Sequence, residues 1–144
     1  MDTVRQWMSR PAIIASATML LPEARQLLRQ RRIRRIPVID TEGRLIGIVT
    51  EGDINRVSES HVTDVRDYNL YHRVGDLPIG DIMTRDLVTV TPDMPIIEVA
   101  QRLLEHRIGG VPVVENERVI GVITESDLFR LIVTSYQLEQ CTGS

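Results

Sequence analysis

Apolar positions along the chain fall into two kinds of run, which alternate and then return. Ile96, Val99, Ala100, Leu103 and Leu104 recur at three- and four-residue spacing, the stripe of an amphipathic helix. Around it lie short unbroken apolar runs, Leu87–Val90, Gly110–Val114 and Val119–Thr124, with the length and β-branched content of strands. A further helix over Ser126–Val133 closes the series. Asp93 is expected to cap the first of these helices, with Pro95 in its first turn, where a missing N–H does no harm. The first half of the chain has the same order: strand Ala12–Ala15, helix Pro22–Arg32, strands Ile36–Ile39 and Leu45–Thr50, helix Gly52–Val57. Pro37 and Pro112 are expected at strand starts, which can forgo a ladder hydrogen bond.

The two halves are copies. Laid over itself with Met8 on Met83, the sequence matches without a gap as far as Asp40 on Glu115, through Met19/Met94, Glu23/Glu98, Leu28/Leu103, Arg32/Arg107 and Pro37-Val38/Pro112-Val113. The register slips by one residue between Asp40-Thr41-Glu42-Gly43 and Glu115-Asn116-Glu117, and then Arg44, Ile46 and Gly47 pair with Arg118, Ile120 and Gly121. Both places read as hairpin turns, where a change of length stays outside the core. The division is therefore repeat 1 at 1–57, a connector at 58–78, repeat 2 at 79–136 and a frayed tail at 137–144. About sixty residues bury only a marginal core, so each repeat is expected to need the other. Val62, Val65, Leu70 and Val74, with Tyr68 and Tyr71, suggest a short connector helix with an apolar stripe.

The most informative stretch runs from Gly47 to Arg56 and returns from Gly121 to Arg130. In each copy a strand leads into a helix through Thr-x-x-Asp, at Thr50/Asp53 and Thr124/Asp127. Two roles fit. The pair can satisfy the first N–H groups of the helix as a plain cap. Alternatively, the carboxylate can accept from both hydroxyls of a ribose beside the anion-attracting helix end. Duplication shifts the weight toward the second role.

Composition narrows the choice. Seventeen Lys+Arg against twenty Asp+Glu leave a net charge of −3, and aromatics are 3%, which argues against wrapping or stacking on nucleic acid. Cys141 is the single cysteine, and His61, His72 and His106 have no ligand spacing, so neither a disulfide framework nor a metal site is expected. No phosphate-loop or dinucleotide glycine motif occurs, and Ser58-Glu59-Ser60-His61 reads as polar loop rather than as a nucleophile with its base. No catalytic residue is assigned. The start lacks a secretory pattern and Ala12–Leu21 is too short to span a bilayer, so a cytoplasmic protein without membrane association is expected.

Arg34 to Asp40 and Gly109 to Glu115, each followed by Gly-h-h-Thr-x-x-Asp, resemble a cystathionine-beta-synthase (CBS) domain pair, or Bateman module. The resemblance extends from Val4 to Val133. It implies an α+β fold of two tandem β-α-β-β-α repeats related by a pseudo-twofold axis, and adenosine-containing nucleotides such as AMP, ADP or ATP in clefts between the repeats. Carried onto this chain, Asp53 and Asp127 would hold ribose hydroxyls, with Thr50 and Thr124 beside the ribose or first phosphate. Val49 and Ile123 would lie on the same approach. Ile13, Arg34 and Arg35 would face the ligand of Asp127, and Val88, Gly109 and Gly110 that of Asp53. Arg34 and Arg35 are expected to contact phosphate, whereas Arg29, Arg31 and Arg32 read as a solvated helix face. Glycine supplies no charge at 109–110, so the two sites should differ in affinity. The expected function is a regulatory sensor: a homodimer without a required cofactor, taking an adenine nucleotide as regulatory ligand and acting on an unidentified effector protein. A dimerisation scaffold without ligand and a sensor of S-adenosylmethionine or NADH are the alternatives.

Overall fold

A computed structural model describes residues 2–62 and 75–142. The chain divides into two packed units, Ile13–Leu87 and Met1–Ala12 with Val88–Ser144. In the first, a three-stranded sheet is built from β1 (Ala15–Ser16), β2 (Arg35–Ile39) and β3 (Leu45–Thr50), with β2 central, parallel to β1 and antiparallel to β3. Helix α2 (Leu21–Arg31) precedes β2, and α3 (Glu51–Val62) follows β3 without an intervening loop residue. Leu21, Ala24 and Leu28 of α2 and Ile54 of α3 are buried with Ile36, Val38 and Val49 of the sheet. A 3-10 turn, Ile79–Asp81, drops Ile79 into the same core, and Thr84 exchanges both backbone hydrogen bonds with Ile48 at the sheet edge (2.8 and 3.0 Å).

The second unit is built likewise around the hairpin of β4 (Gly110–Glu115) and β5 (Arg118–Thr124), with α4 (Ile96–His106) before it and α5 (Glu125–Thr142) directly after. Its core joins Val99, Leu103, Val111, Val113 and Ile123 to Val4 and Met8, contributed by α1 (Val4–Trp7) and the residue after it. Ser9 pairs with Val122 as Thr84 does with Ile48. The opening residues of each repeat thus pack in the unit that carries the other repeat's hairpin. A sequence repeat and a packed unit are different sets of residues.

Several local expectations are corrected. The strand expected at Leu87–Val90 is a single parallel bridge between Val90 and Val113, and its counterpart at Ala12–Ala15 is the two-residue β1. Helix α4 is capped by Pro95, without a side-chain cap, and not by Asp93. Pro37 and Pro112 are the third residues of β2 and β4 rather than the first. The position is tolerated because Pro112 faces the sparse parallel side, where its carbonyl accepts from Val90 N–H (3.2 Å) and Val114 N–H donates to Val90 (2.9 Å). Residues 58–61, expected as loop, are helical in backbone, and α5 continues to Thr142 where fraying was expected from Gln137. Val65, Tyr68, Leu70, Tyr71 and Val74 lie outside the described residues.

Both hairpin turns use local chemistry. Asp40 accepts from the N–H groups of Arg44 and Glu42 (both 2.9 Å), and these bonds, the one from Arg44 foremost, hold its carboxyl below the usual carboxylate range. Asn116 and Glu117 instead turn through positive φ.

Helices α2 and α4 each end on an arginine at φ 54°, Arg32 and Arg107, with the next N–H reaching back to Leu28 (3.0 Å) and Leu103 (3.1 Å). This left-handed position ordinarily takes glycine. Arg107→Gly is therefore expected to stabilise the protein by up to about 1 kcal/mol, read from the urea unfolding midpoint.

Candidate functional site

The strand-to-helix joints β3–α3 and β5–α5 hold the charged and polar side chains that are most deeply buried among the described residues: Asp53 is 6% exposed and Asp127 2%. Burial of a carboxylate requires partners, and each has them. Thr50 N–H donates to Asp53 Oδ2 (2.9 Å) while Asp53 N–H donates to Thr50 Oγ1 (3.0 Å), a reciprocal cap. In the second unit Thr124 N–H donates to Asp127 Oδ2 (2.9 Å), and Thr124 Oγ1 lies 3.4 Å from the same oxygen. The other oxygen, Oδ1, is met by an arginine one turn along the helix, Arg56 for Asp53 and Arg130 for Asp127.

These arginines went unassigned in the sequence, although the signal was present: both copies place Arg three residues after the aspartate. Their side chains are 74% and 63% exposed. Each aspartate is therefore half fixed and half releasable. Oδ2 is committed to the backbone, whereas Oδ1 is held by a side chain that reaches in from solvent, so a ligand that displaces it must itself satisfy the buried oxygen. A carboxylate oxygen has lone pairs for more than one donor, so a hydroxyl can take the arginine's place or join it. The plain cap is thus built, and it leaves one acceptor on each side.

The loop entering each central strand is stitched to the same joint. Glu51 N–H donates to the carbonyl of Arg34 (2.9 Å) and Glu125 N–H to that of Gly109 (3.0 Å). Arg35 pairs across the ladder with Thr50, and Gly110 with Thr124. Within the first unit the structure so gathers Arg34, Arg35, Thr50 and Asp53; within the second it gathers Gly109, Gly110, Thr124 and Asp127. Ile13 and Val88 are half-buried on the segments leading to Ala15 and Val90. Val49 and Ile123 are 0% exposed, with side chains in the two cores, so only their backbones can face a ligand. No buried side-chain N or O lacks a partner among the described residues, and none of the helices described is long and apolar enough to cross a membrane.

The paired joints, each entered from a hairpin that follows a helix, have a counterpart among known proteins. The sequence profile of the CBS domain matches residues 4–60 and 79–134. The chain belongs to the CBS domain family. Its α+β architecture, with two repeats, is the one expected from the sequence. A crystal structure of the CBS domain pair of protein MJ0100, in complex with 5′-methylthioadenosine and S-adenosyl-L-methionine, superposes with a TM-score of 0.77 at 31% identity, covering 93% of this chain and 98% of that one. Among curated relatives, a CBS domain-containing protein of Dictyostelium discoideum is 29% identical over 131 residues, 90% of each chain. The L-aspartate semialdehyde sulfurtransferase of Methanocaldococcus jannaschii is 31% identical over 129 residues. This CBS chain spans 89% of its own length there but only 23% of the sulfurtransferase, and 14% of an A-adding tRNA nucleotidyltransferase of Geobacter sulfurreducens.

Proposed function

We propose that this CBS pair is a non-catalytic sensor of an adenosine-containing small molecule whose ribose hydroxyls bind at Asp53 and Asp127. The observation that carries the reading is the duplicated buried carboxylate with one oxygen on the backbone and the other under an exposed arginine. Thr50 and Thr124 flank the same approach. Arg34 and Arg35 at the first joint favour a phosphate-bearing ligand, an adenine nucleotide such as AMP, ADP or ATP, and Gly109 and Gly110 supply no such charge at the second. Ligand binding then biases the chain toward the arrangement that binds more tightly, by no more than the difference in affinity. The readout passes to an effector protein or enzyme in the cytoplasm. A homodimer is supported by the apolar outer surface of α4 and α5, where Ile97, Leu104, Phe129, Ile132 and Tyr136 are all at least 60% exposed.

A second reading, a sulfonium or thioether nucleoside without phosphate, is favoured by the ligands of the 31%-identical MJ0100 pair. A thermal-shift panel of AMP, ADP, ATP, NADH, S-adenosylmethionine and methylthioadenosine separates the two. The true ligand is expected to stabilise the folded chain by about 2.7 kcal/mol at a hundredfold excess over its dissociation constant. If none of the six moves the melting temperature, the sensor reading fails and the scaffold reading replaces it.

A further inference from the structure

Between the end of α2 and the start of α3, within the first unit, lies an open pocket of about 260 Å³ walled by Arg25, Arg29, Arg32 and Arg34, with Asn55 and a single carboxylate, Glu51. We propose that it is a binding site for a short polyphosphate anion, separate from the aspartate oxygens. Arg29, Arg31 and Arg32 are exposed, as expected of a solvated helix face, but Arg29 and Arg32 also line this concavity with Arg25 and Arg34. Four arginines line one concavity, and among the described residues none of them is within ion-pair distance of a carboxylate. Arg25 is instead held by the neutral hydroxyl of Ser58 at 2.5 Å, which fixes its direction and leaves its charge uncompensated. Four like charges gathered around a single carboxylate repel one another, and an anion with several oxygens relieves that repulsion while accepting from the arginine forks.

The duplication supplies a built-in control. At the positions corresponding to Arg25, Arg29, Arg34 and Asn55 the second repeat carries Ala100, Leu104, Gly109 and Phe129, while Leu28, Ile33 and Glu51 correspond to Leu103, Ile108 and Glu125. The fold therefore needs the packing residues and Glu, but not the basic rim. Arg32 alone of the four rim arginines has a basic counterpart, Arg107; the other three belong to the first repeat alone. Size sets the class of ligand, because the pocket falls below the ~300–1,000 Å³ of sites that engulf drug-sized molecules. A short phosphate chain fits within it, and its basic rim suits phosphate oxygens rather than a base or a sugar. The chain is either free or the tail of a nucleotide whose sugar lies elsewhere, and the proposal does not depend on the adenosyl reading.

Calorimetry on the full chain with inorganic tripolyphosphate, at fixed ionic strength, tests it. Wild type is expected to bind, and Arg29→Leu, which installs the residue the second repeat carries, to weaken binding by about tenfold or more. Arg25→Ala combined with Arg29→Leu should abolish it. Arg32→Gly serves as a variant that cannot fail by unfolding, since glycine suits φ 54° better than arginine, and it too should weaken binding. Adenosine binding is expected to be unchanged in all three. Competition between tripolyphosphate and ATP identifies the pocket as the seat of a nucleotide tail, and simultaneous binding identifies a free polyphosphate. Failure of wild type to bind tripolyphosphate, or undiminished binding by the folded double variant, overturns the proposal. Binding of poly-glutamate in place of tripolyphosphate also overturns it, in favour of an acidic protein partner. Absence of adenosine binding with tripolyphosphate binding intact would sink the adenosyl reading only.

Discussion

Asp127→Ala is expected to lower stability by about 1–2 kcal/mol, the range for losing a helix cap, and to weaken adenosyl binding by about tenfold or more. Both effects come from one side chain because its two oxygens have different duties. Oδ2 of Asp127, a residue that is 2% exposed, satisfies Thr124 N–H at the strand-to-helix joint, so truncation leaves a partly buried donor without its partner. Oδ1, which Arg130 covers, is the oxygen that the proposed ligand would take. Asp127→Asn separates the two duties. Its amide oxygen can still accept from Thr124 N–H, so most of the stability should remain, but the charged acceptor for a diol is gone. Urea unfolding reads the first effect and ligand titration the second. Should Asp127→Asn keep full affinity, the aspartate is a cap and nothing more. Asp53→Ala is expected to cost less stability, because Thr50 Oγ1 goes on accepting from the N–H of residue 53.

The joints were legible in the sequence because capping is local: three residues determine which donor meets which acceptor, and the spacing shows it twice. Hairpins β2–β3 and β4–β5 were legible for the same reason, each being a pair of apolar runs joined by a turn. What failed depends on partners far away in the chain. Leu87–Val90 is as apolar as a strand, yet a strand exists only where a neighbour supplies a ladder, and there Val113 supplies a single bridge. Nor could the self-overlay reveal that Val4 and Met8 pack with β4 and β5 while Ile79 and Met83 pack with β2 and β3. Superposing copies is symmetric, so it aligns Met8 with Met83 whichever hairpin each one joins. The basic pocket was missed for a related reason. Arg25, Arg29, Arg32 and Arg34 follow helical spacing and its exit, which suits an open face equally well, and only the placing of α3 makes a wall of them. Arg56 and Arg130 were visible as a repeated residue, but their role appears only once the aspartates are found buried.

The packing of those exchanged segments sets the second large effect. Gly121→Ala is expected to destabilise the protein by about 1–3 kcal/mol, as overpacking does, and by more than Gly47→Ala at the corresponding position. A Cβ at Gly121 would stand 2.8 Å from the carbonyl oxygen of Ser9 and 3.0 Å from Met8 Sδ. The Ser9 oxygen accepts from Val122 N–H at 3.0 Å and holds the N-terminal segment to β5, so it cannot retreat without breaking that tie. At Gly47 the approach is closer still, but the obstacle is Met83 Sδ, followed by the Cγ and Cε atoms of the same side chain. An unbranched thioether can swing to another rotamer, and a backbone oxygen cannot. Distance alone ranks the two sites in one order, and the mobility of the obstructing atom reverses it. Double-mutant cycles decide between these rankings. Met83→Ala should offset much of the cost of Gly47→Ala, giving a large coupling energy, whereas Met8→Ala should recover little of the loss in Gly121→Ala because the Ser9 carbonyl stays where it is. Equal rescue at both sites would mean that the methionines, and not the backbone tie, set the close approach of each segment to its strand.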